Sequence, residues 1–192
     1  MSKLRKSLLL LLAVGLMVVI TAEIFAKSAG DKPAFAIRKL EKQVVLYTIY
    51  RGSYEKIGPA VGKLFALAGR NGIRPHGPVS YVYLNNPKTV ASEHWLTEIR
   101  IPVGSDALKL TGTLGEMTDV KALPAMEVVV AVKPEGQSDP APIYEKIYRW
   151  ILKEGYIAAE GPIETFLTNA ESGDYARMKT EIMFPVGKLS KE

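Results

Sequence analysis

The sequence contains no cysteine and only two histidines, so disulfides, thiolate metal sites and cysteine nucleophiles are excluded together. His76 and His94 lack the spacing of a metal motif. No glycine-rich phosphate loop or dinucleotide fingerprint is present, and neither a metal nor a cofactor is expected. Ser53-Tyr54-Glu55-Lys56 has the outline of an S-x-x-K acylase motif, but its S-D-N and K-T-G companions are missing. Charge of one sign is scarce as well: leaving out Lys3, Arg5, Lys6 and Glu23, 22 basic side chains face 19 acidic ones. No basic helix or aromatic-basic run occurs, and nucleic acid is not an expected partner.

What is present is an ordinary globular composition, 47% apolar and 23% charged over 192 residues, enough for one domain or two half-domains sharing a core. Its amino terminus is different. Lys3, Arg5 and Lys6 precede an uncharged stretch from Ser7 to Ala22 that includes five leucines in a row, the layout of a secretory signal. A membrane span needs roughly 20 apolar residues, which this run reaches only by including Glu23 to Ala26. Cleavage after Ala22 or Ala26 would put Ile20 or Ile24 where a small residue is preferred, which favours a retained anchor over a removed peptide. Residues 1–26 are thus read as signal peptide or N-terminal membrane anchor and 27–35 as a linker. The following domain would lie outside the cytoplasm, tethered to the cell membrane or secreted.

The remainder repeats. Thr97-Glu98-Ile99-Arg100-Ile101-Pro102-Val103 recurs 83 positions on as Thr180-Glu181-Ile182-Met183-Phe184-Pro185-Val186, with five identities in seven. Gly72 and Gly155 keep the same offset, as do Ile37-Arg38-Lys39-Leu40 and Val120-Lys121-Ala122-Leu123, while Gly77-Pro78 and Gly161-Pro162 are one residue further apart. Collinear matches of this kind argue duplication. Within each copy a β-branched run (Val44–Tyr50; Val128–Val132) precedes an amphipathic helical stripe. That stripe is Ile57, Val61, Leu64, Phe65, Ala68 in the first copy and Ile143, Ile147, Trp150, Ile151 in the second. Ser53 and Asp139 are candidate helix caps. Second strands at 79–84 and 163–167 and the Thr-Glu-Ile strands complete a βαββ unit. The boundaries are repeat one 36–103, link 104–119, repeat two 120–186 and a tail 187–192.

This order of strand, glycine turn, helix, Gly-Pro, strand and T-E-I-x-x-P-V resembles the GyrI-like small-molecule-binding family, which includes the effector-binding domain of AraC-type regulators and shares the SOUL-like fold. The resemblance covers residues 36–186. It implies an α+β fold of tandem βαββ repeats about a pseudo-twofold axis, with helices on one side of an antiparallel sheet and a concave ligand cleft on the other. It further implies a small hydrophobic, often cationic ligand facing an acidic residue of the last strand, here Glu181. The chain departs from the regulatory members in having no helix-turn-helix region.

Strand alternation puts Thr180, Ile182, Phe184 and Val186 on the helix-facing side and Glu181 with Met183 on the other. Glu98 has Arg100 two residues on as a local partner, so the two halves are expected to differ. Tyr148 falls opposite Phe65 in the repeat and, with Tyr144, sits at the margin of the second helical stripe. Tyr81, Tyr83 and Trp95 either wall the cleft or serve cross-strand packing. The expected ligand set is therefore Glu181, Tyr148, Met183, Glu98, Tyr81, Tyr83 and Trp95, with no catalytic residue. Three functions fit: a small-molecule-binding module, a hydrolase of strained or ester-like molecules acting through Glu181 and Tyr148, or a partner-binding domain whose cleft holds a peptide or its own linker.

Overall fold

A computed structural model describes residues 35–137, 139–167 and 178–188. The N-terminal address segment and nearly all of the linker lie outside these residues, as does the tail beyond Lys188. Strand β1 (Ala36–Leu40) leads into β2 (Gln43–Arg51), a 3-10 turn (Tyr54–Lys56), helix α1 (Gly58–Arg70), β3 (Ser80–Tyr83) and, after a second 3-10 turn (Ser92–His94), β4 (Leu96–Val103). A third 3-10 segment (Ser105–Leu110) is followed by β5 (Thr118–Leu123), β6 (Met126–Lys133), α2 (Ala141–Lys153), β7 (Tyr156–Ala158), β8 (Ile163–Phe166) and β9 (Thr180–Lys188). The β-branched runs became strands and the 3.6-period stripes became helices. Gly72 and Gly155 end the helices with φ of 68° and 73°, the left-handed region that glycine enters without strain.

The sheet is antiparallel and curled, with strand order β1-β6-β9-β8-β3-β4-β2-β5, and β7 pairs with β9 off this path. Its registers obey the repeat. Val45 opposite Pro102 in the first half recurs as Val128 opposite Pro185, and Tyr81 opposite Ile99 recurs as Glu164 opposite Ile182. Each partner stands 83 positions further along the chain. Leu46 opposite Val120 has its counterpart in Val129 opposite Ile37, so each half lends its first strand to the edge of the other. The Tyr81–Glu164 pair maps onto itself, which locates the pseudo-twofold axis at the β3–β8 seam. The unit is therefore ββαββ with exchanged first strands rather than βαββ: a separate strand ahead of each glycine-turn hairpin was not assigned from sequence, although its repeat was visible.

On the helix side, Leu46, Ile99, Ile101 and Val120 pack against Leu64 and Ala68 of α1, and Val129, Ile182 and Phe184 pack against Ile143, Ile147 and Ile151 of α2. Thr180, Ile182, Phe184 and Val186 thus face the helices as alternation predicts. A third cluster, Val82, Val128, Val130, Ile163 and Met183, gathers on the opposite face of the sheet. The link is less open than its polarity suggests, since Ala107 is buried and its 3-10 segment closes on the first core. Ser53 caps nothing through its side chain, because a 3-10 turn intervenes and α1 starts at Gly58 with Pro59 behind it. Asp139 does accept the Ala141 amide at 2.9 Å.

The backbone of β3 is set by Gly161, whose missing side chain lets the turn before β8 press on the Tyr83 carbonyl. The Tyr83 amide donates to the Pro162 carbonyl at 3.2 Å. A Cβ at Gly161 would collide with backbone, whereas one at Gly77 would meet only the Pro102 ring, at 3.0 Å. Gly161→Ala is expected to cost about 2–3 kcal/mol of stability and Gly77→Ala about 1 kcal/mol or less, as measured by urea denaturation. Equal costs would contradict the close approach.

Candidate ligand-binding site

Glu164 stands on β8 between Ile163 and Thr165, directly across from Tyr81 and Ile182, so alternation points it at the helix side of the sheet. It is 7% exposed. The Tyr83 hydroxyl donates to its Oε2 at 2.8 Å and the Tyr144 hydroxyl to its Oε1 at 2.7 Å. Tyr83 comes from β3 of the first half and Tyr144 from α2 of the second, so the two halves meet on one carboxylate. Each carboxylate oxygen thus accepts one phenol hydrogen bond.

Aromatic rings continue the wall. Tyr54, on the 3-10 turn before α1, packs its ring 5.0 Å from Tyr83 and 4.4 Å from Trp95, centroid to centroid. Trp95 is held by its indole N–H, which donates to the Val90 carbonyl at 2.9 Å, and its own carbonyl accepts the Gly52 amide at 2.9 Å. On the α2 side, Tyr144 and Tyr148 meet the edge of buried Phe184 at 5.6 and 4.8 Å. Tyr148 is 46% exposed.

Burial, then the charge of Glu164, raises the Tyr83 and Tyr144 phenols well above their ordinary value of 10.0. The same two causes push Tyr54 up to about 12. Burial alone raises Tyr148.

Three sheet glutamates are thus satisfied in different ways. Glu181, 13% exposed in its side chain, takes a bidentate pair from Arg38 of the exchanged strand β1 at 2.9 and 2.5 Å. The Met183 sulfur lies 3.2 Å from the same guanidinium. Glu98 binds Arg100 at 2.5 Å, as expected, and also Lys121 of β5 at 2.7 Å. Among the described residues no lysine, arginine or histidine pairs with Glu164. No group of three or more potential metal ligands occurs among them either.

The expected ligand set therefore divides between two faces. Tyr81, Tyr83, Trp95 and Tyr148 belong to the helix side, while Glu181, Met183 and Glu98 project from the opposite side, where Glu181 and Glu98 are closed by cations. Glu181 does not meet Tyr148: the tyrosine packs on Phe184, three residues along β9 and hence on the other face. Of the helix-side residues, Tyr81 is 4% exposed and packs edge-on against Phe166 in the core. Sequence reasoning passed over Glu164 and Tyr54. The signal for Glu164 was a lone carboxylate sharing a strand face with Phe166 in a short strand that carries no other charge.

A family model for the GyrI-like small molecule binding domain matches residues 16–104 and 108–187. The chain belongs to this family. The first match begins inside the apolar N-terminal stretch, ahead of the boundary at 36 read from the sequence. A search of curated proteins finds no match. Among solved structures, the chain resembles EcmrR in its cryo-EM complex with DNA (TM-score 0.67, 16% identity, 97% of this chain and 69% of that one). It resembles the EcmrR C-terminal domain (TM-score 0.65, 18% identity, 82% and 99%) and a hydrolase from Listeria innocua (TM-score 0.59, 14% identity, 86% and 98%). At these identities the likeness establishes the GyrI-like fold and nothing about ligand or reaction.

The alkaline limit of this GyrI-like domain follows from its phenols. A tyrosine whose folded pKa exceeds its unfolded 10.0 holds its proton more tightly when folded, so its contribution is full below pH 10 and is lost as pH rises further. Titration at 295 nm is expected to show Tyr83 and Tyr144 ionising only with unfolding, and stability falling steeply above pH about 10. Ionisation of every tyrosine near pH 10 with the fold intact would refute the buried Tyr83–Glu164–Tyr144 cluster.

Proposed function

We propose that this GyrI-like domain binds a small hydrophobic organic cation over Glu164, between the aromatic walls formed by Tyr54, Tyr83, Trp95 and Tyr144. The observation that carries this reading is the buried carboxylate with two phenol donors and, among the described residues, no cation paired to it. Hydrogen bonds from neutral groups reduce the cost of burying a charge but do not cancel it, and a positively charged guest would. Aromatic faces add attraction for a desolvated cation, each worth about 0.5–2 kcal/mol. Glu181 and Glu98 lack this vacancy because arginine and lysine already fill it.

A hydrolase reading needs a carboxylate and a phenol within hydrogen-bond reach, and Glu164 with Tyr144 satisfies that distance where Glu181 with Tyr148 does not. Acid strength decides against it. A general acid works best with a pKa near the operating pH, and both phenols on Glu164 are shifted the other way. Binding is the better use of this geometry.

Glu164→Gln keeps the shape of the site and removes its charge. The affinity for tetraphenylphosphonium, followed by calorimetry, is expected to fall about 30-fold or more, equivalent to the ~2 kcal/mol of a desolvated charge pair. Binding of neutral triphenylphosphine oxide is expected to change little. Equal losses for both probes would refute a cation site.

We further propose that the N-terminal apolar stretch delivers the domain to a membrane, with the domain on the non-cytoplasmic side. The support is the basic cluster ahead of residues 7–22. No helix among the described residues is long and apolar enough to cross a membrane. In cell fractionation the full chain is expected in the membrane or exported fraction and a chain lacking residues 1–26 in the cytosol; a cytosolic full chain would oppose the proposal.

A further inference from the structure

Tyr83 and Tyr144 each spend their hydroxyl on a Glu164 oxygen. Tyr54 differs from both. Its ring is fixed between Tyr83 and Trp95, and burial, then the Glu164 charge, weakens its acidity, so the phenol is neutral and keeps its proton. Its ring centroid lies 5.0 Å from that of Tyr83, which places it beside one of the two phenols that hold Glu164. Yet among the described residues its hydroxyl has no hydrogen-bond partner, and the residue is partly exposed. In the free protein water can serve this donor.

A guest seated over Glu164 would take that water away. A hydroxyl stripped of water and left without an acceptor is penalised, and one offered an acceptor is not. The repeat marks the position as particular to one half: 83 residues on from Tyr54 stands Gln137, whose carbonyl accepts from Lys133 instead.

Building on the cation reading above, we infer that Tyr54 is a specificity-determining residue whose hydroxyl selects, among hydrophobic cations, those carrying on their aromatic body a hydrogen-bond acceptor such as a carbonyl or ether oxygen. Glu164 then reads the charge and Tyr54 the acceptor. Two polar contacts at separate points of one aromatic wall would orient a guest that stacking alone leaves free to rotate.

The test compares tetraphenylphosphonium with (4-acetylphenyl)triphenylphosphonium, its matched analogue bearing one ketone, on the full chain and on Tyr54→Phe, with binding measured by calorimetry. The substitution retains the ring that stacks on Tyr83 and Trp95, so the wall is preserved. The unsubstituted protein is expected to prefer the ketone analogue about five- to ten-fold, the ratio that one net hydrogen bond confers. Tyr54→Phe is expected to abolish that preference, bringing the ratio of the two affinities to about one. Equal effects on both cations, or none on either, would overturn the inference while leaving the Glu164 cation reading intact. Failure of both cations to bind the unsubstituted protein would overturn the two together.

Discussion

The structure depends on the strands that its two halves exchange. β1 leaves its own half to pair with β6, and β5 crosses to pair with β2, so each edge of the sheet is supplied by the other repeat. With the β3–β8 seam, these ladders hold both halves in a single twofold register. A slip of one residue would turn each apolar face outward, so the seven core residues of the first-half strands and α1 and those of the second constrain one another through the shared sheet. The site inherits this constraint, because its carboxylate stands on the axis and its two phenols come from different halves.

The exchanged strands also decide the electrostatics. Arg38 and Lys121 are equivalent positions on β1 and β5, and each crosses to a glutamate on the last strand of the half it joins. Coulomb attraction across a partly desolvated surface thereby closes Glu181 and Glu98. Glu164 sits at the seam, out of reach of both edges, and phenols from β3 and α2 take the place of a cation. Symmetry of the backbone coexists with asymmetry of chemistry: the axis pairs a tyrosine with a glutamate, and only the second half carries a tyrosine at the helical position of Tyr144, where the first has Val61.

Much of the architecture was legible because it is written in local periods. The β-branched runs at Val44–Tyr50 and Val128–Val132, the stripes on α1 and α2, and the glycines ending both helices each report the conformation of their own segment. Alternation along Thr180–Val186 sorted its two faces correctly, and the Glu98–Arg100 contact, two residues apart on one strand face, was likewise local. The edge strands were harder to read, since Ala36–Leu40 is short and mostly exposed and shows no apolar face of its own. Its repeat with Val120–Leu123 was visible, but a repeat does not say which partner a strand will choose.

By itself the sequence determined the duplication, its 83-residue offset, the principal strands and helices, and which residues share a face along each of them. These follow from steric propensities and the 2.0 and 3.6 periodicities, which act over a few neighbours. Only the tertiary structure decided which glutamates meet cations and which meets phenols. That choice required knowing that β1 crosses to the far half, bringing Arg38 to Glu181, 143 residues away, and that α2 lays Tyr144 against Glu164. A carboxylate carries no mark of whether a cation, a phenol or a guest will meet it. Its partner is set by long-range packing.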